Sequence, residues 1–282
     1  MARNNPTQAA SAIAAGPAPG NQIPERLGRS VRRFFIETTY LAGFIAQVMR
    51  ETFLFFRKRQ AGYKVLVMQI LFTGVEALGI ISILSLALGT IIIVLGFSQL
   101  TQLGQINQLY SLLILIITRE LGPILTAFII IARSGTAIAT EIAGMVVSHE
   151  IEAYIASGID PISFLVVPRF VGVMVSMIIL TIYFSVLGLL GSSLIAGMIT
   201  AIPFGDYWHK LLLTLTPADI GISLLKAVVF GGIVSIVSTF EGFAANRAST
   251  EIPQAGLRAV GKCFVGIIIA DALITIIYYL YA

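Results

Sequence analysis

Charge is what this chain has least of. Only 11% of its 282 residues are Asp, Glu, Lys or Arg, while 57% are hydrophobic. A water-soluble domain carries roughly 25% charged residues. Losing half of them removes the polar skin that keeps a globule in water, and the mean hydropathy of +0.94 points to lipid as the solvent for most of the chain. Cysteine is nearly missing too. The single Cys263 excludes an internal disulfide and any cysteine-based metal site. His149 and His209 are the only histidines and lie far apart, so the sequence offers no metal-ligand set. It shows no Ser/His/Asp grouping and no dinucleotide fingerprint, so this chain is expected to be a non-catalytic subunit. One near-match is refused. Gly256-Leu257-Arg258-Ala259-Val260-Gly261-Lys262-Cys263 has the glycine and lysine spacing of a phosphate-binding loop. It ends in Cys where Ser or Thr must meet magnesium, and no strand precedes it.

What is present is basic residues and long apolar runs. The formal net charge of +4 does not indicate nucleic acid, because the basic residues sit before and between apolar segments. Residues 1–25 are rich in Ala, Pro, Gly, Asn and Gln and read as a disordered leader. No apolar core precedes a cleavage site, so they do not read as a secretory signal. Residues 26–62 mix basic and apolar types: Arg29, Arg32, Arg33, Arg50, Arg57, Lys58 and Arg59 among Phe34, Phe35, Phe44, Phe53 and Phe56. That pattern predicts an amphipathic helix lying at the membrane interface.

Residues 63–282 predict a transmembrane bundle, and with 26–62 they make a permease domain. A crossing helix needs about 20 apolar residues. The run from Val65 to Phe97 is longer than that and is interrupted strongly only at Gln69 and Glu76. Its excess predicts a lead-in helix to Leu78 and a first span over 79–97. Further spans are expected over 110–132, 164–200, 219–241 and 258–281. Loops are expected over 98–109, 133–163, 201–218 and 242–257. Ten of the 18 basic residues precede Val65, and Arg133, Arg169, Arg247, Arg258 and Lys262 fall near the loops on that same side. Lys/Arg bias places such loops in the cytoplasm. The fold class expected is therefore an all-α integral membrane protein with an interfacial helix, about five transmembrane helices and a cytoplasmic N-terminus.

Four charges fall deep inside these spans, away from their ends: Arg119, Glu120, Lys226 and Asp271. Each costs a few kcal/mol to insert. At about 1.5 Å per residue, Glu120 lies about 15 Å from the outer end of its span, Lys226 about 10 Å and Asp271 about 16 Å. All four then share one layer, and their charges sum to zero. Pro123 follows the first two and is expected to kink their helix. Folding ion pairs are the plainer account, and a polar path through the bundle is the functional one. Small residues in the third span (Gly188, Gly191, Ser192, Ser193, Ala196, Gly197) allow close helix contact, within the chain or in a homodimer.

The loop 133–163 is the second constellation. It contains Arg133, Glu141, His149, Glu150, Glu152, Tyr154, Asp160 and Pro161. Ser148 is expected to cap a short helix with Glu150 and Glu152 in its first turn, and Gly158 to stop it. Ile151, Tyr154 and Ile155 share a face. Such an element either packs on its own chain or passes motion from a partner into the spans.

Taken together, Arg119-Glu120-Leu121-Gly122-Pro123, Ala132-Arg133-Ser134-Gly135, Thr140-Glu141-Ile142, Asp160-Pro161 and Val167-Pro168-Arg169 resemble the MlaE/YrbE permease family. The resemblance covers residues 30–282 and is densest over 118–191. It implies a homodimeric permease of an ABC transporter for phospholipids or related lipids. It also implies a separate cytoplasmic ATPase that binds ATP and magnesium, and an MCE-type lipid-binding protein on the outer side. The family's buried charged positions fall on Glu120, Lys226 and Asp271, and its ATPase-coupling helix on Glu141–Asp160. The stretch Val146-Val147-Ser148-His149-Glu150 departs from relatives that carry a basic residue and a Thr there. The location implied is a bacterial inner membrane, with a plastid envelope as the alternative. An ion-coupled secondary transporter would use the same buried charges as ion or proton sites.

Overall fold

The computed structural model describes residues 39–54, 63–199 and 203–281, and among these the regular elements are all helical. The leader expected over 1–25 lies outside the described residues. The chain divides into two units between Ala46 and Gln47. The first helix, α1, covers 39–54, so the interfacial helix expected over 26–62 meets helical structure there. The rest of that segment lies outside the described residues.

Five helices are long and apolar enough to cross a membrane: α2 (Leu66–Gln102), α3 (Leu109–Val147), α5 (Ile162–Met198), α7 (Pro217–Phe243) and α8 (Glu251–Tyr281). Two short helices join them: α4 (Glu150–Ala156) between α3 and α5, and α6 (Phe204–Thr214) between α5 and α7. Successive spans alternate in direction, so α4 and α6 mark opposite ends of the bundle.

The number of spans agrees with the sequence, but several boundaries do not. The lead-in helix and first span form one helix, with a 3₁₀ turn at Val75–Ala77. Residues 133–147, expected as loop, are helical and extend α3. Apolar length marks where a helix enters lipid, not where its backbone stops hydrogen bonding. The expected loop 201–218 contains the 11-residue α6. Its Tyr207 and Leu211 are buried while Phe204, Leu212 and Leu213 face outward. Tyr207 hydroxyl pairs with Ser192 Oγ at 2.7 Å, and its ring meets the edge of Tyr110 at 5.5 Å. Burial pushes the Tyr207 phenol up to about 12.

The core lies between α2, α3, α5 and α7, around Ile117, Ile130, Met177, Phe184 and Phe230. α2 and α5 approach so closely that a Cβ on Gly89 would stand 2.0 Å from the Gly188 carbonyl oxygen. Gly188, Gly191, Ser192, Ser193 and Ala196 are thus used inside the chain, while Gly197 is exposed. α8 differs from the rest. Only 11% of its most apolar window is buried, against 56% for α3, so its wide apolar face is left uncovered.

Two stretches of α3 wind as π-helix, Ile114–Leu121 and Ile131–Gly135. In the first, Gly122 N–H reaches back to the Ile117 carbonyl, and Pro123 follows with no N–H to give. Proline also clashes with the carbonyl four residues before it, which here belongs to Arg119. The π winding ends at Leu121, directly before Gly122 and Pro123. π winding inside α-helices is frequent at functional sites. In the second stretch, Thr136 Oγ1 donates to the carbonyls of Ala132 at 2.8 Å and Ile131 at 3.2 Å.

Candidate functional site

Lys226 is fully buried on α7, yet it carries an ammonium group. A lone charge there would be very costly, so it must be paired. Its Nζ donates to Glu120 Oε2 at 2.5 Å and lies 2.8 Å from Asp271 Oδ1. One cation thereby joins α3, α7 and α8. The structure brings these three charges into direct contact.

Arg119 lies next to this trio and is held differently. Its guanidinium packs over the rings of Tyr278 and Tyr279, with centroids at 4.2 and 4.9 Å. Its Nη1 is 3.6 Å from Asp219 Oδ1, and its Nε is 4.0 Å from Glu120 Oε1. The side chain is 9% exposed. Nε and Nη2 are buried without a hydrogen-bond acceptor among the described residues. An arginine has five N–H donors and cannot be neutralised in a protein, so buried donors left unfilled are costly. Arg119 and Asp219 line a cavity of about 350 Å3 together with Ile114, Leu115, Thr216 and Tyr278. A second cleft of about 160 Å3, lined mainly by apolar side chains including Ile182, Val186, Leu189 and Leu224, touches the neighbouring Thr118.

Asp219, Tyr278 and Tyr279 were not singled out by sequence reasoning. Asp219 had a signal. Thr216 and Asp219 stand three apart and form a capping box, with Thr216 Oγ1 accepting from Asp219 N–H and the carboxylate accepting from Thr216 N–H. The tyrosines ended an apolar run, where aromatic residues are common anyway.

At the α4 end, ion pairs tie neighbouring elements together. Arg133 pairs with Glu76, linking α3 to α2, and its guanidinium lies 5.6 Å from the Phe72 ring centroid. Glu141 pairs with Arg169 of α5 at 2.7 Å. Glu152 of α4 pairs with Arg247 of the α7–α8 connection and with His149 Nδ1 at 2.5 Å. The His149 hydrogen bond holds the Glu152 carboxyl below its usual range, with Arg247 adding to that. Asp160 accepts the Ser163 N–H at 2.9 Å, and Pro161 opens the first turn of α5. Tyr154 stacks near Phe164 at 5.5 Å. Glu150 accepts from Ser148 Oγ at 3.0 Å.

Ser148 is not the helix cap. His149 holds that position with φ +62°, and no side chain caps α4 there. Ser148 hydroxyl turns back to the Gly144 carbonyl and so belongs to the end of α3. Gly158 does stop α4. It has φ +75°, and the Ile159 N–H returns to the Tyr154 carbonyl at 2.9 Å. Sequence reasoning also missed Glu241. It is buried near the end of α7 and pairs with Lys262 at 2.6 Å and Arg258 at 3.3 Å, both on α8. These two basic residues belong to the refused phosphate-loop match, which the structure shows as continuous helix.

The chain is similar to known permeases. The family model described as Permease MlaE matches residues 66–277. A probable ABC transporter permease protein of Rickettsia prowazekii is 29% identical over 216 residues, covering 76% of this chain and 83% of that protein. The intermembrane phospholipid transport system permease protein MlaE of Haemophilus influenzae is 28% identical over 218 residues, covering 77% of this chain and 84% of its own. The chloroplastic protein TRIGALACTOSYLDIACYLGLYCEROL 1 of Arabidopsis thaliana is 28% identical over 207 residues, covering 73% of this chain and 59% of its own.

Proposed function

Because the chain belongs to the MlaE permease family, we propose that it is the membrane subunit of an ABC transporter that moves phospholipids or related lipids. The observation that carries this reading is Arg119, a largely buried guanidinium in the wall of a cavity, whose nearest carboxylates stand at 3.6 and 4.0 Å. A lipid phosphate supplies the acceptors that Arg119 lacks. The apolar cleft beside Thr118 supplies a place for part of an acyl chain. Glu120, Lys226 and Asp271 tie together α3, α7 and α8, the helices that supply most of the cavity wall.

The remaining parts follow from the same reading. The α4 end faces the cytoplasm, as the Lys/Arg bias requires. There α4, stiffly bounded by His149 and Gly158, docks a separate ATPase. That partner binds ATP and magnesium, and this chain needs no cofactor of its own. An MCE-type lipid-binding protein receives or delivers lipid at the α6 end. The uncovered apolar face of α8 supports a homodimer, since most small residues of α5 are already occupied. The membrane is the inner membrane of a bacterial cell, or a plastid envelope as the Arabidopsis relative's name suggests.

A second reading keeps one observation: Lys226 between two carboxylates also suits an ion or proton site of a secondary transporter. Purification in mild detergent, with mass spectrometry of bound proteins and lipids, separates the two. The lipid permease is expected to carry an ATPase and bound phospholipid. A lipid-free monomer without an ATPase would favour the secondary transporter.

A further inference from the structure

We infer that the Arg119 cavity selects a zwitterionic phospholipid headgroup, a phosphate plus a primary ammonium, over a purely anionic one. This rests on the lipid-path reading above and adds the substrate class. Arg119 forms part of the cavity wall, with Nε and Nη2 themselves closed off, so a phosphate meets the guanidinium on its Nη1 side, beside Asp219. Asp219 stands beside it on the same cavity. Thr216 holds one oxygen of that carboxylate, Oδ2, through its N–H at 3.0 Å and its hydroxyl at 2.6 Å. The other, Oδ1, lies 3.6 Å from Arg119 Nη1, too far for a direct hydrogen bond. A fixed carboxylate with one oxygen incompletely used is an acceptor for an ammonium group.

The charge balance points the same way. The connected groups are two cations, Arg119 and Lys226, and three carboxylates, Glu120, Asp219 and Asp271. Their formal sum is one negative charge. Lys226 cannot turn to offset an incoming anion, because it is fully buried between two carboxylates. A singly anionic headgroup would add a second uncompensated negative charge in a low-dielectric setting. A phosphate with its own ammonium adds none, and places its cation against Asp219. The rings of Tyr278 and Tyr279 already face the guanidinium, so they do not form a free aromatic cage for the headgroup.

The test is competition on the full-length chain in mild detergent. Phosphatidylethanolamine and phosphatidylglycerol with identical acyl chains are supplied in equal amounts, and bound lipid is read by native mass spectrometry. The wild type is expected to retain phosphatidylethanolamine by about tenfold over phosphatidylglycerol, the ratio that 1.4 kcal/mol sets. Asp219→Asn keeps an oxygen for the Thr216 cap and removes the charge. It is expected to bring the ratio to about twofold or less by loss of phosphatidylethanolamine. Arg119→Ala is expected to lose both lipids. Inorganic phosphate in large excess is expected to leave the lipid bound; displacement by phosphate alone would reassign the site to a free anion and overturn the inference. Equal or greater retention of phosphatidylglycerol by the wild type would overturn it without any variant, as would an unchanged preference in Asp219→Asn. Undiminished lipid in Arg119→Ala would instead sink the underlying lipid-path reading.

Discussion

The two charged regions of this molecule use the same side chains to different ends. In the middle of the bundle, Lys226 is sealed between Glu120 and Asp271, and Arg119 is held against tyrosine rings with donors unfilled. At the α4 end, pairs such as Arg133–Glu76 and Arg247–Glu152 join elements at the surface, where their side chains stay partly or largely exposed. Burial makes the difference. An exposed pair contributes roughly 0–1 kcal/mol, because water competes for both partners. A buried pair adds little when intact, but costs several kcal/mol when one member is removed. The first region therefore fixes helix positions and presents chemistry. The second can be remade at little energetic cost, which suits a surface that docks and undocks a partner.

The largest effect is expected at Lys226. Lys226→Met leaves two carboxylates facing each other without a cation, and should destabilise the fold by about 3–5 kcal/mol. Loss of the folded protein, or a large fall in the thermal midpoint in detergent, is the readout. Adding Glu120→Gln and Asp271→Asn to that change should recover much of the midpoint without recovering lipid transfer. A single variant as stable as wild type would erase the contrast between the regions.

Glu241 tests the boundary between them, being buried but paired to cations that reach water. Glu241→Gln should cost about 1–3 kcal/mol, between the two extremes, measured as a shift in the same midpoint. The Arg133–Glu76 pair should matter less. Glu76→Gln is expected to change stability by about 0–1 kcal/mol, and high salt should reduce even that difference. The smallest effect concerns pH. Hydrogen bonding to His149 holds the Glu152 carboxyl below its ordinary value of 4.5. Its pairing therefore contributes above that ordinary value and is lost as pH falls through the lowered one. Amide exchange in α4, corrected for intrinsic rates, should rise across that acid window in the wild type and stay flat in Glu152→Gln.

The sequence made the spans legible because lipid demands long apolar runs: 79–97 carries no charge, and 219–241 stays apolar around Lys226, with Asp219 and Glu241 at its ends. It failed at the ends, where the demand stops but the helix does not. Residues 133–147 carry Arg133 and Glu141 and are helical all the same. α6 was hidden by polar residues, although Phe204, Tyr207, Trp208 and Leu211 recur at helical spacing. Depth arithmetic brought Glu120, Lys226 and Asp271 into one layer because rise per residue is nearly constant. It could not assign Arg119 to Asp219, which stands near the start of α7. Such a pairing depends on how the helices pack, and Ser148 shows the converse, a capping residue spent on the preceding helix.

The most direct test of the central claim is ATP-driven phospholipid transfer in proteoliposomes holding this chain and its ATPase, comparing wild type with Arg119→Ala. Loss of transfer by about tenfold or more, with the ATPase still bound, is the result expected if the guanidinium holds lipid phosphate on its path. Wild-type transfer in the variant would contradict it.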